Sequence, residues 1–194
     1  MRIVDLCRMI HGRVPNIRFQ THPKVAFTRV EAPAFIDRQG KTVDQISAEG
    51  LVNSAVLLDV SGKVVAEIDD EDLEGAEEAA GIAIREGEVV LVHTCWQQSS
   101  IKRRSLFPGL SRNAADYLLF KRITGVAVDC PSIDERKSLR SHRLLLRKGV
   151  FVIEDLCNLV EIDQSRFHLL LLPLRMKAVA APALAMALLN DEAY

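Results

Sequence analysis

An imidazole can bind a metal or move a proton near neutral pH, a thiol can attack a carbonyl, and paired carboxylates can share either task. This chain offers five histidines and four cysteines for such work. Spacing narrows them quickly. His11, His22 and His93 fall at no metal-ligand spacing, and Cys7, Cys95, Cys130 and Cys157 form no CxxC pair. Ser99-Ser100 lacks the flanking glycines of a nucleophile elbow. The glycines stand singly, so neither a phosphate loop nor a dinucleotide fingerprint is present. Taken alone, His142 beside Arg140 and Arg143 fits a histidine on a helix surface, and Glu154 fits a charged residue just past a buried strand. His168 lies in an apolar stretch and fits a structural histidine with its hydrogen bonds met. Asp129 and Asp134, on either side of Pro-Ser-Ile, suit fixing a turn and capping a helix.

Charge excludes some partners. Lys and Arg number 25 against 26 Asp and Glu, so the net basic footprint needed by a nucleic-acid or anionic-membrane binder is absent. The run Lys102-Arg103-Arg104 fits a solvated loop. No apolar run reaches the roughly 18 residues of a membrane span. The stretch from Leu169 to Leu189 is broken by Pro173, Arg175, Lys177 and Pro182. The scattered cysteines sit in or beside apolar stretches, where a free thiol behaves as a small hydrophobe. Met1-Arg2-Ile3-Val4-Asp5 meets an acid before an apolar run develops, so the expectation is a cytoplasmic protein.

The elements that must position any site are legible. Ala55–Val60, Val89–His93, Gly125–Asp129 and Val150–Ile153 are nearly continuous branched apolar runs, suited to strands covered on both faces. Between them lie helical patterns. Asp69 or Asp70 caps one carrying Leu73, Ala76, Ala80 and Ala83, ending at Glu86-Gly87. Ser111 caps a second, with Ala114, Ala115, Leu118 and Leu119 inward. A third begins near Ser132 to Asp134 and closes at Lys148-Gly149. The alternation implies a three-layer α/β domain with a mixed, mainly parallel central sheet, and residues 1–194 fit a single domain. The first fifty residues are turn-rich and fit loops and short strands laid over that core.

Particular words are more specific than the periodicity. Leu106-Phe-Pro-Gly-Leu-Ser-Arg-Asn-Ala-Ala-Asp-Tyr-Leu118, then Gly125-Val-Ala-Val-Asp-Cys-Pro-Ser-Ile-Asp134, resembles the "YPGLS…AA..L…G(I/V)G.D..S.D" signature of the metal-dependent cyclase and kynurenine formamidase family. Val89-Val-Leu-Val-His-Thr-Cys-Trp96 resembles its "LLRTGW", with His93 at the arginine, where it fits packing at the core edge. Val152-Ile-Glu-Asp-Leu-Cys-Asn-Leu159 resembles "VIENLANL", and collinear matches run from about residue 3 to residue 187. The resemblance implies a swivelling β/β/α fold, metal-dependent hydrolysis of a small amide or lactone, and a homodimer or homotetramer.

The same resemblance assigns a site. The family carries H-x-G-T-H-x-D-x-P-x-H near its N-terminus, then a distant His and Glu twelve residues apart. His142 and Glu154 keep that second half and would be the catalytic residues. The first half has changed. With Glu31-Ala-Pro-Ala set on the family's "DAPA", Val25 and Arg29 replace two histidines, Glu31 replaces the aspartate, and Phe35 replaces the proton-relaying histidine. Thr28 keeps its identity. Using Thr21-His22 instead puts Lys24 at the aspartate, a worse register. Valine has no lone pair, and arginine keeps its proton at any accessible pH. What remains is Glu31, His142 and Glu154, a set able to hold one divalent metal, zinc or manganese. If Arg29 substitutes for the ion by pairing with Glu31 or Glu154, no cofactor is needed. A second change lies at Lys177–Ala187, which stands where the family has "GGDGSPVRAIA" and has lost that word's acid, serine and arginine, the last to Leu184. The implied outcomes are a divergent hydrolase lacking the standard two-metal chemistry, or a catalytically silent binding or structural subunit.

Overall fold

The computed structural model describes residues 1–8, 27–46, 52–62, 67–96, 107–135 and 139–190. Val25, His11, His22, Lys24, Ser99-Ser100 and the basic run at 102–104 lie outside the described residues. The four apolar runs become β3 (Val52–Asp59), β4 (Val89–His93), β5 (Gly125–Val128) and β6 (Phe151–Glu154). They lie side by side in that order and all in parallel. Continuous hydrophobicity is required because both faces are covered. Val56, Leu58, Val90, Val92, Val126 and Val152 meet the helices, while Ala55, Leu91, Ala127 and Ile153 face a second core on the other side.

The helices begin and end where backbone chemistry allows. In α1 (Asp70–Ala80), the Asp69 carboxylate accepts from the Asp70 amide and shares a reciprocal cap with Asp72. The helix stops at Gly81, in the left-handed region at φ 64°, before the Glu86-Gly87 end expected from sequence. Glycine takes that conformation without a Cβ penalty, and the Gly81 amide closes the helix by donating to the Glu77 and Glu78 carbonyls. In α2 (Arg112–Phe120), the Ser111 hydroxyl accepts from the Ala114 amide at 3.0 Å. The third helix, α3 (Arg140–Arg147), starts later than Ser132–Asp134. Asp134 still caps it, but from seven and eight residues away along the chain, accepting from Ser141 and His142 amides at 2.9 and 3.0 Å.

The sheet is mixed, but its parallel part is confined to β3–β6. The other pairings between its strands are antiparallel, through β1 (Arg2–Asp5), β2 (Arg29–Glu31), β7 (Arg166–Pro173) and β8 (Ala180–Leu189). β8 runs beside β7 on one edge and takes β1 and β2 end to end along the other. The order β2-β6-β5-β4-β3-β7-β8 therefore returns on itself as a closed, barrel-like ring of seven strands, with β1 attached to β8. The expected mixed α/β architecture is present, with the sheet curled into this ring and three α-helices against it among the described residues. Small inward residues make closure possible: Ala181, Ala183, Ala185 and Ala187 face the interior with Leu169, Leu171 and Phe167. The alternating residues point outward, so Leu184 is 40% exposed and His168 is exposed rather than a satisfied interior histidine.

Tight backbone approach fixes the loop that carries Asp134. The Gly109 carbonyl accepts from the Ile68 amide at 2.8 Å, and a side chain at Gly109 would fall onto the backbone nitrogen of Glu135. Gly109→Ala is expected to lower the unfolding free energy by about 1–3 kcal/mol, measured by urea denaturation. A variant as stable as the parent would show that the approach of these loops is loose.

Candidate functional site

The carboxylate ends of the parallel strands are where α/β sheets gather functional side chains, because the loops leave the strands there. Arg29 and Glu31 are two residues apart on β2, so both point to the face away from Val30, which is buried in the ring interior. Arg29 sits opposite Glu154 in the β2–β6 register, and the pair therefore shares that face. Asp155 should alternate away from Glu154. It does not, because its backbone enters the left-handed region at φ 59° and brings both carboxylates to one cation.

That cation is Arg29. Its Nε donates to Glu31 Oε1 at 3.1 Å, Nη1 to Asp155 Oδ2 at 3.0 Å, and Nη2 to the Pro131 carbonyl at 2.8 Å and to Glu154 Oε2. The side chain is 9% exposed, and Glu154 is fully buried. Arg8 supplies a second positive charge, 2.8 Å from Asp155 Oδ1. The Thr28 hydroxyl ties the neighbouring strands together, donating to the Asp155 carbonyl and accepting from the Arg8 amide, each at 2.8 Å.

His142 approaches the same carboxylates from α3. The helix-surface reading of this residue is overturned: it is 1% exposed, because its side of α3 packs onto the end of β6. Its Nδ1 lies 2.6 Å from Asp134 Oδ2. Its Nε2 lies 3.1 Å from Glu31 Oε2 and 3.1 Å from Glu154 Oε1. Those approaches are off the line of a hydrogen bond, so His142 Nε2 and Glu31 Oε2 have no hydrogen-bond partner among the described residues. Glu154 Oε1 also accepts from the Ile133 amide at 2.8 Å. Phe35 packs against the imidazole, its ring centroid 5.4 Å away.

The charges answer to these neighbours. Burial works to raise the Glu154 carboxyl, but the Arg29 and His142 charges hold it down to about 2. Burial likewise opposes ionisation of Asp134, and the hydrogen bond from His142 brings it to about 2. Burial and the neighbouring Glu154 raise Glu31 despite His142 and Arg29. Burial raises Asp155 against the pull of both arginines. Burial would lower His142, yet its contacts with Asp134, Glu154 and Glu31 lift it well above an ordinary histidine. Four carboxylates thus face two guanidiniums and an imidazole that prefers its proton.

Each glutamate divides its oxygens. One goes to the Arg29 fork and the other faces His142 Nε2. The three atoms facing one another suit one small divalent ion, since donors about 2.1 Å from a metal stand about 3 Å apart. Glu31, His142 and Glu154 are also the group whose donor atoms converge closely enough for an ion among the described residues. Buried Glu31 Oε2 and His142 Nε2, each without a hydrogen bond, are the atoms such an ion would satisfy. The other oxygen of each glutamate, Glu31 Oε1 and Glu154 Oε2, is bound to Arg29.

Sequence reasoning brought Arg29, Glu31, Phe35, His142 and Glu154 to one place, and they are together. It missed Asp155 and Arg8, and it read Asp134 only as a cap. The adjacent acids Glu154-Asp155 at the end of a buried strand carried a usable signal, since two buried acids demand a cation.

A family model described as "Putative cyclase" matches residues 4–135. The kynurenine formamidase of Bacillus cytotoxicus (strain DSM 22905 / CIP 110041 / 391-98 / NVH 391-98) is 27% identical over 154 residues, covering 77% of this chain and 68% of the relative. That of Bacillus thuringiensis (strain Al Hakam) is 28% identical over 156 residues, covering 77% of this chain and 68% of the relative. Among solved structures, isatin hydrolase A of Labrenzia aggregata superposes with a TM-score of 0.80 at 21% identity, covering 96% of this chain and 93% of that one. A potential metal-dependent hydrolase with cyclase activity gives 0.77 at 24% identity and 96% coverage of both. The fold is that of the cyclase-type hydrolases, and the match to the family model over most of its length makes this chain a member of the "Putative cyclase" family.

Proposed function

We propose that this chain is a divergent cyclase-family hydrolase that does not use two-metal chemistry, and that Glu31, His142 and Glu154 hold at most one divalent ion, zinc or manganese. One observation carries the proposal: the Arg29 guanidinium is bound at once to Glu31, Glu154 and Asp155, at a residue that stands where the family's motif has a histidine. A bound ion would supply Lewis acidity and make a water more acidic. The chain's own residues supply the rest. Asp134 fixes the imidazole through Nδ1, so Nε2 is the nitrogen turned to the glutamates. Arg29 keeps Glu154 charged, and the packed Phe35 ring shields the imidazole while offering no proton to a leaving amine. The substrate class that fits the relatives is a small amide or lactone, and a homodimer or homotetramer is the assembly in keeping with the family.

A second reading, a silent binding or structural subunit, is favoured by the same charge cluster, because Arg29, Arg8 and His142 already face the buried carboxylates without an ion. Metal analysis of protein purified without chelator separates the two. Between none and one equivalent of zinc or manganese is expected, while two equivalents would overturn the proposal. None at all, even after addition of excess ion, selects the silent subunit.

Hydrolysis of N-formylkynurenine, followed by absorbance, is expected to be absent or at least about 100-fold below that of a family enzyme, since general acid–base help is typically worth that much. A robust, metal-stimulated rate would contradict this. Arg29→Ala is expected to cost about 3–5 kcal/mol of stability, because it leaves buried carboxylates without their cation. In thermal melts, added zinc or manganese should stabilise that variant more than the parent. An Arg29→Ala protein as stable as the parent and indifferent to metal would mean that the guanidinium is incidental.

A further inference from the structure

The ends of β3 and β4 hold a second group of reactive side chains, separate from Glu31, His142 and Glu154. Asp59 and His93 are the last residues of those strands and stand opposite each other in the parallel register. His93 is buried, and its Nδ1 lies 3.8 Å from Asp59 Oδ1. Its other nitrogen, Nε2, lies 3.3 Å from Cys95 Sγ. Cys95 is half-buried and held in the left-handed region at φ 56°, a conformation that costs a side-chain-bearing residue energy. The turn is fastened around it. The Thr94 amide and hydroxyl both donate to Asp129 Oδ1, at 3.1 and 2.6 Å, and the Trp96 amide donates to the Thr94 hydroxyl at 3.2 Å.

A nucleophile within reach of an imidazole is the core of covalent catalysis, and the Asp59 carboxylate, whose Oδ1 accepts from the Ser61 amide at 2.8 Å, stands on the far side of that imidazole. We propose that Cys95 is a nucleophilic thiol that accepts the acyl group of a small, uncharged activated ester, with His93 as its base and Asp59 as a positioning residue. Sγ attacks the acyl carbon while its proton passes to His93 Nε2. The new S–C bond replaces the C–O bond, and the departing oxygen takes the proton from His93. Water, deprotonated by the same imidazole, then cleaves the thioester to the carboxylic acid and returns the thiol. Burial and the charges of Asp59 and Asp129 hold the Cys95 thiol above its ordinary range, so a base is needed at the moment of attack. The same two carboxylates disfavour an anionic acyl donor. The other cysteines lack this setting: Cys130 is buried, and Cys7 is pushed up to about 12 by burial.

The test is acylation of the intact protein by p-nitrophenyl acetate, followed by peptide mass mapping. One acetyl group is expected on Cys95, at a rate unchanged by chelator, which separates this site from the one that holds Glu31. Cys95→Gly, which suits the left-handed backbone, should remove the label. His93→Gln should slow acylation about 100-fold, and exogenous imidazole should restore part of the rate to His93→Ala. Asp59→Asn, at an exposed position that leaves the fold intact, should slow it about tenfold. Labelling spread evenly over Cys157 and the lysines would overturn the proposal, as would parent-like rates in both the His93 and Asp59 variants.

Discussion

A guanidinium buried among three carboxylates organises this molecule's functional edge. Arg29 cannot give up its proton, so Glu31, Glu154 and Asp155 must arrange themselves about a fixed charge. The planar fork dictates direction as well as sign. One oxygen of each glutamate is drawn to it, and the remaining oxygens are left facing His142. An ion pair of this kind adds little net stability compared with well-packed apolar side chains. Removing one partner is costly all the same, because the others stay buried and charged.

The backbone is shaped to that end. β2 is three residues long, yet it places Arg29 and Glu31 on the same face and sets Arg29 opposite Glu154. It is held between β6 and β8, so the closure of the ring through β7 and β8 also fixes the guanidinium. Asp155 leaves the strand through a left-handed residue, which abandons the alternation of β6 and turns a neighbouring acid to the same cation. On the far side, the Asp134 carboxylate caps α3 and holds His142 together, so helix start and imidazole orientation are one structural event.

The four parallel strands were legible because each is covered on both faces, and burial leaves a continuous apolar run in the sequence. The starts of α1 and α2 were legible because Asp69 and Ser111 are chemically distinctive caps. Ring closure was not legible: β8 reads as a long stretch of alanine and leucine, and nothing local says which strand it will join. The late start of α3 was hidden for a related reason, since its cap comes from Asp134, several residues earlier in the chain, and not from the residue before the helix. Within the site, the convergence of Glu31, His142 and Glu154 followed from recognisable words in the sequence. Asp155 and Arg8 were missed because their participation depends on a left-handed backbone and on a contact between residues 147 positions apart. His93 and Cys95 form no metal spacing and show their significance only as neighbours in space.

On the function proposed above, Arg29 fills the place of further metal ligands and leaves room for one ion at most. Anomalous diffraction from crystals equilibrated with manganese tests it most directly. No more than one anomalous peak is expected, between Glu31, His142 and Glu154, with the guanidinium still bonded to Glu31, Glu154 and Asp155. Two peaks flanking Glu31, or an Arg29 side chain swung into solvent, would contradict it.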